Sequence, residues 1–481
     1  MDRTLAERRA ALLSRRLTEA GVPDGPARES ITLREDRGTA PLSPAQWRTW
    51  RQHRADPSGA AYNVCLDLTL SGPLNVTALR TALGQLVGRH EVLRTRYPLD
   101  DDGGRPVQCI DPPSAAGLPV PLTDLRGDPP EVVDRRLTEL AGHRFDLAGE
   151  WPLRAVLWRT GERDHRLGLV VHHIVWDGGS WAVISDDLSR FYAAADGRDV
   201  EAPPPLPVQY GDLAAARART PSPAADREYW LGRLAGLPGP LPLPADRPGV
   251  ATGGPAGGRR TVVLDEAETG RVSALAGSRG VTSFTVLLAA FGPALHRWSG
   301  AVDLPVGSGA MNRDRVEARP LVGNFGNTLV LRLDASGDPT FAELLARVDR
   351  VAGDGLDHQE MPYDEVVGAL REAGEQHSDS VNVMLLFLGR GLAGPSLPDV
   401  RTDWRTVHNG THQVDLAVEA FVVGPEMRIE ATYSAALLSS TRVDELLGEL
   451  RAVLAGVAAE PGTRLSELPV RTGGPASARS I

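Results

Sequence analysis

The feature that most constrains the fold is a run of almost wholly apolar residues from Leu167 to Val171. Such a run is typical of a strand that is buried on both faces of a sheet, so other layers must pack above and below it. Strand-like and helix-like segments alternate on either side of this run, and the chain is therefore predicted to be an α/β protein. Its 481 residues exceed what one compact core usually accommodates, which predicts two lobes.

Hydrophobic periodicity and capping residues outline the remaining elements. Further strands are predicted at Tyr62 to Leu70, Val92 to Tyr97, Leu153 to Trp158, Val262 to Leu264, Thr328 to Leu333 and Met427 to Tyr433. Helices are predicted at Thr4 to Ala20, after caps at Asn75 and Ser283, and over Ser180 to Phe191 and Thr340 to Val351. Segments rich in Pro and Gly, 203–207 and 237–258, bracket a boundary. The predicted division is an N-terminal helix and linker (1–38), a first lobe (39–215) and a second lobe (216–481).

Composition excludes several classes of function. A formal net charge of −10 argues against a general nucleic-acid binder, which needs a basic face. All 52 basic residues are arginine, so lysine Schiff-base chemistry and the phosphate loop with its lysine are excluded. Cys65 and Cys109 stand alone, which argues against a metal site or a disulfide framework. No apolar stretch is long enough for a membrane span, and the arginine-rich N-terminus lacks an apolar leader, so we expect a cytoplasmic protein.

The segment that carries chemistry follows the apolar run directly. Two histidines, His172 and His173, end the predicted strand, and Asp177 and Gly178 form a turn before the next helix. Neighbouring strand residues face opposite sides, so only one imidazole can point into a given cavity. A neutral imidazole can accept a proton from an attacking N–H or O–H group. Gly178 permits a tight turn, and its amide near a helix N-terminus could stabilise an oxyanion.

This HHxxxDG pattern resembles the signature of the condensation-domain superfamily of nonribosomal peptide synthetases. Further segments are similar to other motifs of that family and occur in the same order, over about residues 40 to 465: SPAQWRTW (43–50), RHEVLRTRY (89–97), YGD (210–212), VGNFGNT (322–328) and HQEMPY (358–363). The RDxSRNP motif is degraded to HSDSVN (377–382), where only Asp379, Ser380 and Asn382 can be matched. On these residues the chain is identified as a member of the family.

The resemblance implies a fold and a set of roles. The fold would be two lobes like chloramphenicol acetyltransferase that form a V-shaped pseudo-dimer, with the active site between them. His173 would orient or deprotonate the acceptor nucleophile, and His172 would be structural. Asp177 would form a structural ion pair with an arginine, for which Arg94 and Arg313 are the candidates. If that pair is buried, breaking it would cost ~3–5 kcal/mol.

Five residues are predicted to contact substrate, namely Trp176, Gly179, Ser180, Asn327 and Thr328. Gly179 stands where the family usually has a large residue, and the bulky Trp176 precedes Asp177. Substrate shape is one interpretation of this exchange, and Gly179→Trp would then change acyl preference. A compensating exchange of volume is the other interpretation. For Asn327 and Thr328, backbone packing is an equal alternative.

The resemblance also implies partners. Donor and possibly acceptor carrier proteins would present substrates on phosphopantetheine arms, and the enzyme would bind no cofactor or metal of its own. No adenylation or carrier motif is seen, so a free-standing enzyme or an excised domain is expected. Alternatives are an acyl-CoA-dependent O- or N-acyltransferase, an epimerization domain, and a degenerate domain that recruits another enzyme to a carrier. A heterocyclization domain is disfavoured because it replaces the histidine pair with an Asp-based motif.

Overall fold

The computed structural model describes residues 31–56, 59–100, 102–114, 117–244, 246, 256–375, 381–390 and 393–468. The helix predicted over Thr4 to Ala20 lies outside these residues, as do Asp379 and Ser380. The strands are β1 (Thr39–Pro41), β2 (Asn63–Ser71), β3 (Thr95–Arg96), β4 (Val107–Ile110), β5 (Leu122–Asp124), β6 (Leu153–Arg159), β7 (Asp164–His172), β8 (Gly257–Leu264), β9 (Asp303–Ala310), β10 (Asn327–Asp334), β11 (Val383–Arg390), β12 (Arg401–Val407), β13 (Leu416–Val423) and β14 (Glu426–Ser434).

Helices cover the sheets and fill the space between them. They are α1 (Pro44–Ala55), α2 (Val76–Arg89), α3 (Pro130–Ala141), α4 (Ser180–Ala195), α5 (Tyr210–Arg219), α6 (Ala224–Leu234), α7 (Glu266–Arg279), α8 (Ser283–Ser299), α9 (Phe341–Asp357), α10 (Tyr363–Glu372) and α11 (Ser440–Ala459). Within the described ranges no single helix is long and apolar enough to cross a membrane. The pair α7 and α8 passes the length and composition test together, but the two helices are bent by 105°.

The first lobe is built around a five-stranded sheet in the order β12-β2-β7-β6-β5. The apolar strand β7 lies between β2 and β6, and helices α2 and α4 pack beside each other in the same hydrophobic core. Residues Leu167 to His172 are all buried, as the run of apolar residues predicts. β7 therefore holds the histidine pair at the end of a rigid central strand.

The second lobe is built around a six-stranded sheet in the order β10-β9-β11-β13-β14-β8, with its own hydrophobic core. One strand from the second half of the sequence, β12, belongs to the sheet of the first lobe. It pairs antiparallel with β2, from Arg401↔Ser71 to Val407↔Cys65. The predicted division at 215/216 does not account for this strand, which lies in the sheet of the first lobe. No local pattern shows the exchange, because pairing between distant strands is a tertiary event.

Most predicted elements are present, and two need local correction. The strand expected over Val92 to Tyr97 is a 3₁₀ turn, Glu91–Arg94, followed by the short β3. The Thr95 hydroxyl donates to the Glu91 carbonyl at 2.7 Å, which closes that turn instead of extending it. The cap of α8 is Thr282 rather than Ser283, because the Thr282 hydroxyl accepts a hydrogen bond from the Thr285 amide at 3.1 Å.

Candidate active site

The two histidines point in different directions because the strand ends between them. His172 is the last residue of β7, and His173 begins a 3₁₀ turn, His173–Val175. The His173 amide donates to the Tyr62 carbonyl at 2.7 Å, which fixes the start of the turn. His172 is fully buried, whereas His173 is partly exposed.

The buried His172 belongs to the interior of the first lobe. Its Nδ1 accepts a hydrogen bond from the Ile174 amide at 3.2 Å, and its Nε2 lies 3.2 Å from Nδ1 of His53. The Phe145 ring packs edge-on against it. Burial, together with His53 and His173, holds the pKa of His172 well below its usual range. These contacts support a structural role for His172.

His173 is the histidine that remains available to a substrate. Burial lowers its pKa below the ordinary value of 6.5, and the nearby Asp177 carboxylate opposes that shift. In the part of the chain that the structure describes, no other side chain forms a hydrogen bond with the His173 imidazole. The ring is therefore neutral at neutral pH, and one of its nitrogens carries a free lone pair.

Asp177 is committed to an ion pair that spans the two lobes. Its Oδ1 accepts from Nη2 of Arg313 at 2.7 Å, and its Oδ2 accepts from Nε of Arg313 at 3.1 Å. Both side chains are more than nine-tenths buried. Nη1 of Arg313 also donates hydrogen bonds to the Ala318 and Leu321 carbonyls. The guanidinium lies over the Phe325 ring, 4.3 Å from its centre. Asp177 thus ties the loop after His173 to the second lobe, and these contacts support a structural role for its carboxylate.

Of the two arginines predicted as partners of Asp177, the structure selects Arg313. Arg94 instead donates through Nη1 to the Asp111 carbonyl. Arg94 ends the 3₁₀ turn of the first lobe, whereas Arg313 comes after β9 and reaches across the lobe interface. Only the packing of the lobes distinguishes the two candidates.

Ser180 joins the same junction rather than a substrate pocket. Its hydroxyl donates to Oδ1 of Asp177 at 2.9 Å and lies 3.1 Å from the Gly323 carbonyl, while the Gly323 amide lies 3.2 Å from it. The Ser180 amide also donates to Oδ1 of Asp177 at 2.9 Å. Ser180 is fully buried, so the prediction that it contacts substrate is revised to a link between α4 and the 322–328 segment.

Trp176 is also largely buried. It is 6% exposed and belongs to the hydrophobic core of the first lobe. Its ring is tilted against Trp181, which in turn packs against Trp404 of β12 with 4.8 Å between ring centres. The prediction that Trp176 shapes the substrate site is therefore revised, because an apolar ring at this position gains more by burial in the core.

Asn327 and Thr328 are the first two residues of β10, but their side chains have different surroundings. The Asn327 amide group donates to the Gln359 and Met361 carbonyls at 3.0 and 2.7 Å, and its oxygen accepts from the Tyr363 amide at 3.0 Å. Asn327 therefore holds the 359–363 segment, and backbone packing is the role that the geometry supports. Thr328 is partly exposed, and its contact with substrate stays a prediction.

The sequence motifs far from the histidines converge on a second junction between the lobes. The Tyr210 hydroxyl donates to the Asn324 carbonyl and lies 2.7 Å from the Ser43 hydroxyl. The Asn324 amide donates to the Thr49 hydroxyl at 3.1 Å. Sequence reasoning matched the segments that hold these residues without assigning them partners. In the sequence, these polar residues lie among apolar neighbours. That pattern could have indicated that they are buried and form hydrogen bonds.

The loop glycines are not equivalent. Gly178 is exposed, and a Cβ built on it would meet only Cδ2 of Leu388 at 3.5 Å, which is ordinary contact. A Cβ on Gly179 would lie 2.7 Å from Nε and 3.0 Å from Cδ of Arg313, and 2.8 Å from Cε of Met311. The small residue at 179 is therefore needed for the passage of Arg313 toward Asp177. Both interpretations of the exchange between Trp176 and Gly179 stay predictions.

We expect Gly179→Ala to lower the free energy of unfolding by about 1–3 kcal/mol, the usual cost of overpacking. Arg313 cannot move aside without lengthening its bonds to Asp177. Gly326→Ala is the matched control, because a Cβ there has only ordinary contacts, the nearest at 3.6 Å. The control is expected to stay within about 0.5 kcal/mol in urea unfolding. Equal stability of the two variants would contradict this account of Gly179.

Comparisons with known proteins show which family the chain resembles. The family model described as Condensation domain matches residues 36–472. Chondramide synthase of Chondromyces crocatus is 35% identical over 90% of this chain, which spans 11% of that synthase. Phosphinothricin tripeptide synthetase PhsC of Streptomyces viridochromogenes is 35% identical over 97% of this chain, which spans 44% of that protein.

Two solved structures superpose on nearly the whole chain. The X-domain from teicoplanin biosynthesis matches with a TM-score of 0.80 and 27% identity, over 93% of this chain and 100% of that one. The first condensation domain of the calcium-dependent antibiotic synthetase, in complex with a substrate analogue, matches with a TM-score of 0.76 and 25% identity, over 90% and 99%. The predicted α/β class and the arrangement of two lobes like chloramphenicol acetyltransferase are confirmed.

Proposed function

The chain belongs to the condensation-domain family, and we propose that it joins a carrier-bound acyl or aminoacyl thioester to an amine or hydroxyl acceptor. The observation that carries this proposal is the placement of His173. Its neutral imidazole is partly exposed beside the junction of the lobes, while Asp177, Ser180 and Arg313 are fully occupied in holding its loop. A substrate reaching His173 would meet a fixed hydrogen-bond acceptor.

The reaction balances without any group beyond the two substrates. The acceptor nitrogen or oxygen attacks the thioester carbonyl carbon, and the new C–N or C–O bond forms as the C–S bond breaks. The proton of the acceptor passes through His173, or directly, to the departing phosphopantetheine thiolate. The phosphopantetheine arms arrive as part of the substrates.

The developing oxyanion has one candidate donor among the amides of the loop. The amides of Gly179 and Ser180 already donate to Oδ1 of Asp177, at 3.1 and 2.9 Å. Gly178 is exposed, and its amide is not used by Asp177. We assign the oxyanion contact to the Gly178 amide on this basis.

The test is acyl transfer followed by intact-protein mass spectrometry. A donor-loaded carrier protein is incubated with the chain and a panel of tethered and free amines and alcohols. Transfer of the donor mass to an acceptor supports the proposal, and the productive acceptor class defines the bond. Transfer from acyl-CoA but not from the carrier would favour the acyl-CoA-dependent alternative. Carrier binding without any transfer would favour recruitment, and the similar X-domain from teicoplanin biosynthesis is known in complex with OxyB.

The pH dependence of the reaction offers a separate prediction. Because burial lowers the pKa of His173, the neutral imidazole persists below pH 6.5 and is lost only as pH falls through the lowered pKa. We therefore expect the single-turnover rate with a hydroxyl acceptor to stay level down to pH 6.5 and to fall at lower pH. A hydroxyl acceptor avoids the titration of an amine. An inflection above pH 6.5 would contradict the assignment.

A further inference from the structure

Along β13, the sheet of the second lobe buries the side chains of one face more deeply than those of the other. In β13, Leu416, Val418 and Ala420 are fully buried in that core, whereas the alternate residues Ala417 and Glu419 are only partly buried on the opposite side. This alternation follows from the two-residue period of a strand. We call the side that carries Glu419 the open face.

The open face looks toward the loop that follows His173. Leu388 of β11 is 43% exposed, and its Cδ2 would lie 3.5 Å from a Cβ on Gly178. β11 and β13 are parallel neighbours in which Leu386 pairs with Glu419. Because Leu386 and Leu388 share a face, the Glu419 Cα lies about 8 Å from the Leu388 Cα, by strand spacing and rise. Glu419 therefore shares a face with Leu388, whose side chain reaches the loop after His173.

A second set of contacts brings the lobes together on the other side of this region. The Asn409 amide group donates to the Ala60 and Asn63 carbonyls at 2.8 and 3.1 Å. Between those two residues, the Tyr62 carbonyl accepts the hydrogen bond from the His173 amide. Arg259, on the open face of β8, donates to the Thr406 hydroxyl of β12 at 3.3 Å. The second lobe is thus tied to the first lobe beside Tyr62 and at the β8 edge of the open face.

The charges on the open face leave one carboxylate without a partner. Glu430 of β14, which pairs directly with Glu419 in the sheet, forms an ion pair with Arg259. Among the described residues, no group donates a hydrogen bond to Glu419 or forms an ion pair with it. Glu419 is also only partly buried.

This isolation has an electrostatic cost. Burial and the neighbouring Glu430 carboxylate raise the pKa of Glu419, and Arg259 opposes that rise. The three side chains together carry one negative charge in excess when all are ionised. A partly buried, unpaired carboxylate is unfavourable unless a cation or hydrogen-bond donor reaches it. A protonated amine on a substrate is one group that could do so.

We propose that Glu419 is a specificity-determining residue whose carboxylate pairs with a protonated amine carried by a substrate. The amine would belong to the side chain of the donor or of the acceptor, and not to the attacking nitrogen, which must be neutral. The inference deepens the proposed condensation function and rests on it for the identity of the substrate. The pairing itself is testable without turnover.

The first experiment measures binding of a simple cation. Dansylcadaverine, which carries a primary ammonium, is titrated against the full chain by fluorescence, beside a neutral dansyl analogue that ends in a hydroxyl. We expect Glu419→Gln to weaken dansylcadaverine binding at least tenfold and to leave the neutral probe unchanged. Glu426→Gln is the matched control, because Glu426 is an exposed carboxylate in the adjacent strand β14. Equal affinity of wild type and Glu419→Gln, or no binding to wild type, would overturn the proposal.

The second experiment finds which substrate carries the amine. Acyl transfer is compared for donors and acceptors in matched pairs, with ornithine or lysine side chains against norvaline or norleucine. We expect the wild type to prefer the amine-bearing member on one side of the reaction by at least tenfold, and Glu419→Leu to reverse that preference. A preference that survives in Glu419→Leu would overturn the proposal.

The two proposals fail in distinguishable ways. A failure of the condensation function removes product from every pair but leaves the cation-binding difference between wild type and Glu419→Gln. A failure of the Glu419 inference removes that binding difference while product formation still depends on His173.

Discussion

His173→Ala is expected to lower the single-turnover rate of acyl transfer about 10²- to 10⁴-fold, the usual contribution of a general base. The variant keeps the cleft but loses the acceptor for the proton of the nucleophile. Because no described side chain forms a hydrogen bond with the imidazole, the free energy of unfolding should change little. Rapid-quench mass spectrometry with a donor-loaded carrier measures the rate, and urea unfolding measures the stability.

Two further variants separate chemistry from packing. His173→Asn keeps a polar group of similar size. We expect its rate of acyl transfer to fall about as much as that of His173→Ala, since an amide is a poor base. His296→Ala is the control histidine, because His296 lies in α8 of the second lobe and its Nδ1 is 2.8 Å from the Ala301 carbonyl. Its rate should match wild type. Full activity in His173→Ala would remove this residue from the mechanism.

Arg313→Ala is expected to lower the free energy of unfolding by about 3–5 kcal/mol. The substitution leaves the buried Asp177 carboxylate without its bidentate partner, and that uncompensated charge dominates the loss. It also releases the Ala318 and Leu321 carbonyls, which Arg313 holds at 2.9 and 2.7 Å. Urea unfolding, extrapolated linearly to water, gives the change in free energy.

Controls show whether burial or charge is responsible. Arg451 pairs with Glu268 at 2.7 Å, but its side chain is 43% exposed, so Arg451→Ala should cost at most about 1 kcal/mol. Arg313→Lys keeps the charge but loses the forked geometry, and we expect an intermediate loss. If Arg313→Ala cost no more than Arg451→Ala, the ion pair between the lobes would not hold the catalytic loop.

The sequence by itself determined the local structure and the chemical centre. The run from Leu167 to Val171 is apolar on both faces, which is enough to predict a central strand. His173 comes just after the end of that strand, so its place in the chain was also predictable. The helix cap at Asn75 was also predicted, because its side chain can accept a hydrogen bond from an amide three residues ahead. Such features depend on neighbours within one turn or one strand, so the local pattern contains the cause.

The tertiary structure alone decided which distant groups meet. Arg94 and Arg313 were equivalent as sequence candidates, and only the lobe interface brings Arg313 to Asp177. The same packing places β12 in the first sheet, buries Trp176, commits Ser180 and Asn327 to structural bonds, and leaves Glu419 unpaired on the open face. The physical reason is that burial and the partners of a charge depend on segments that lie apart in sequence, 136 residues for Asp177 and Arg313, and no local periodicity encodes their encounter.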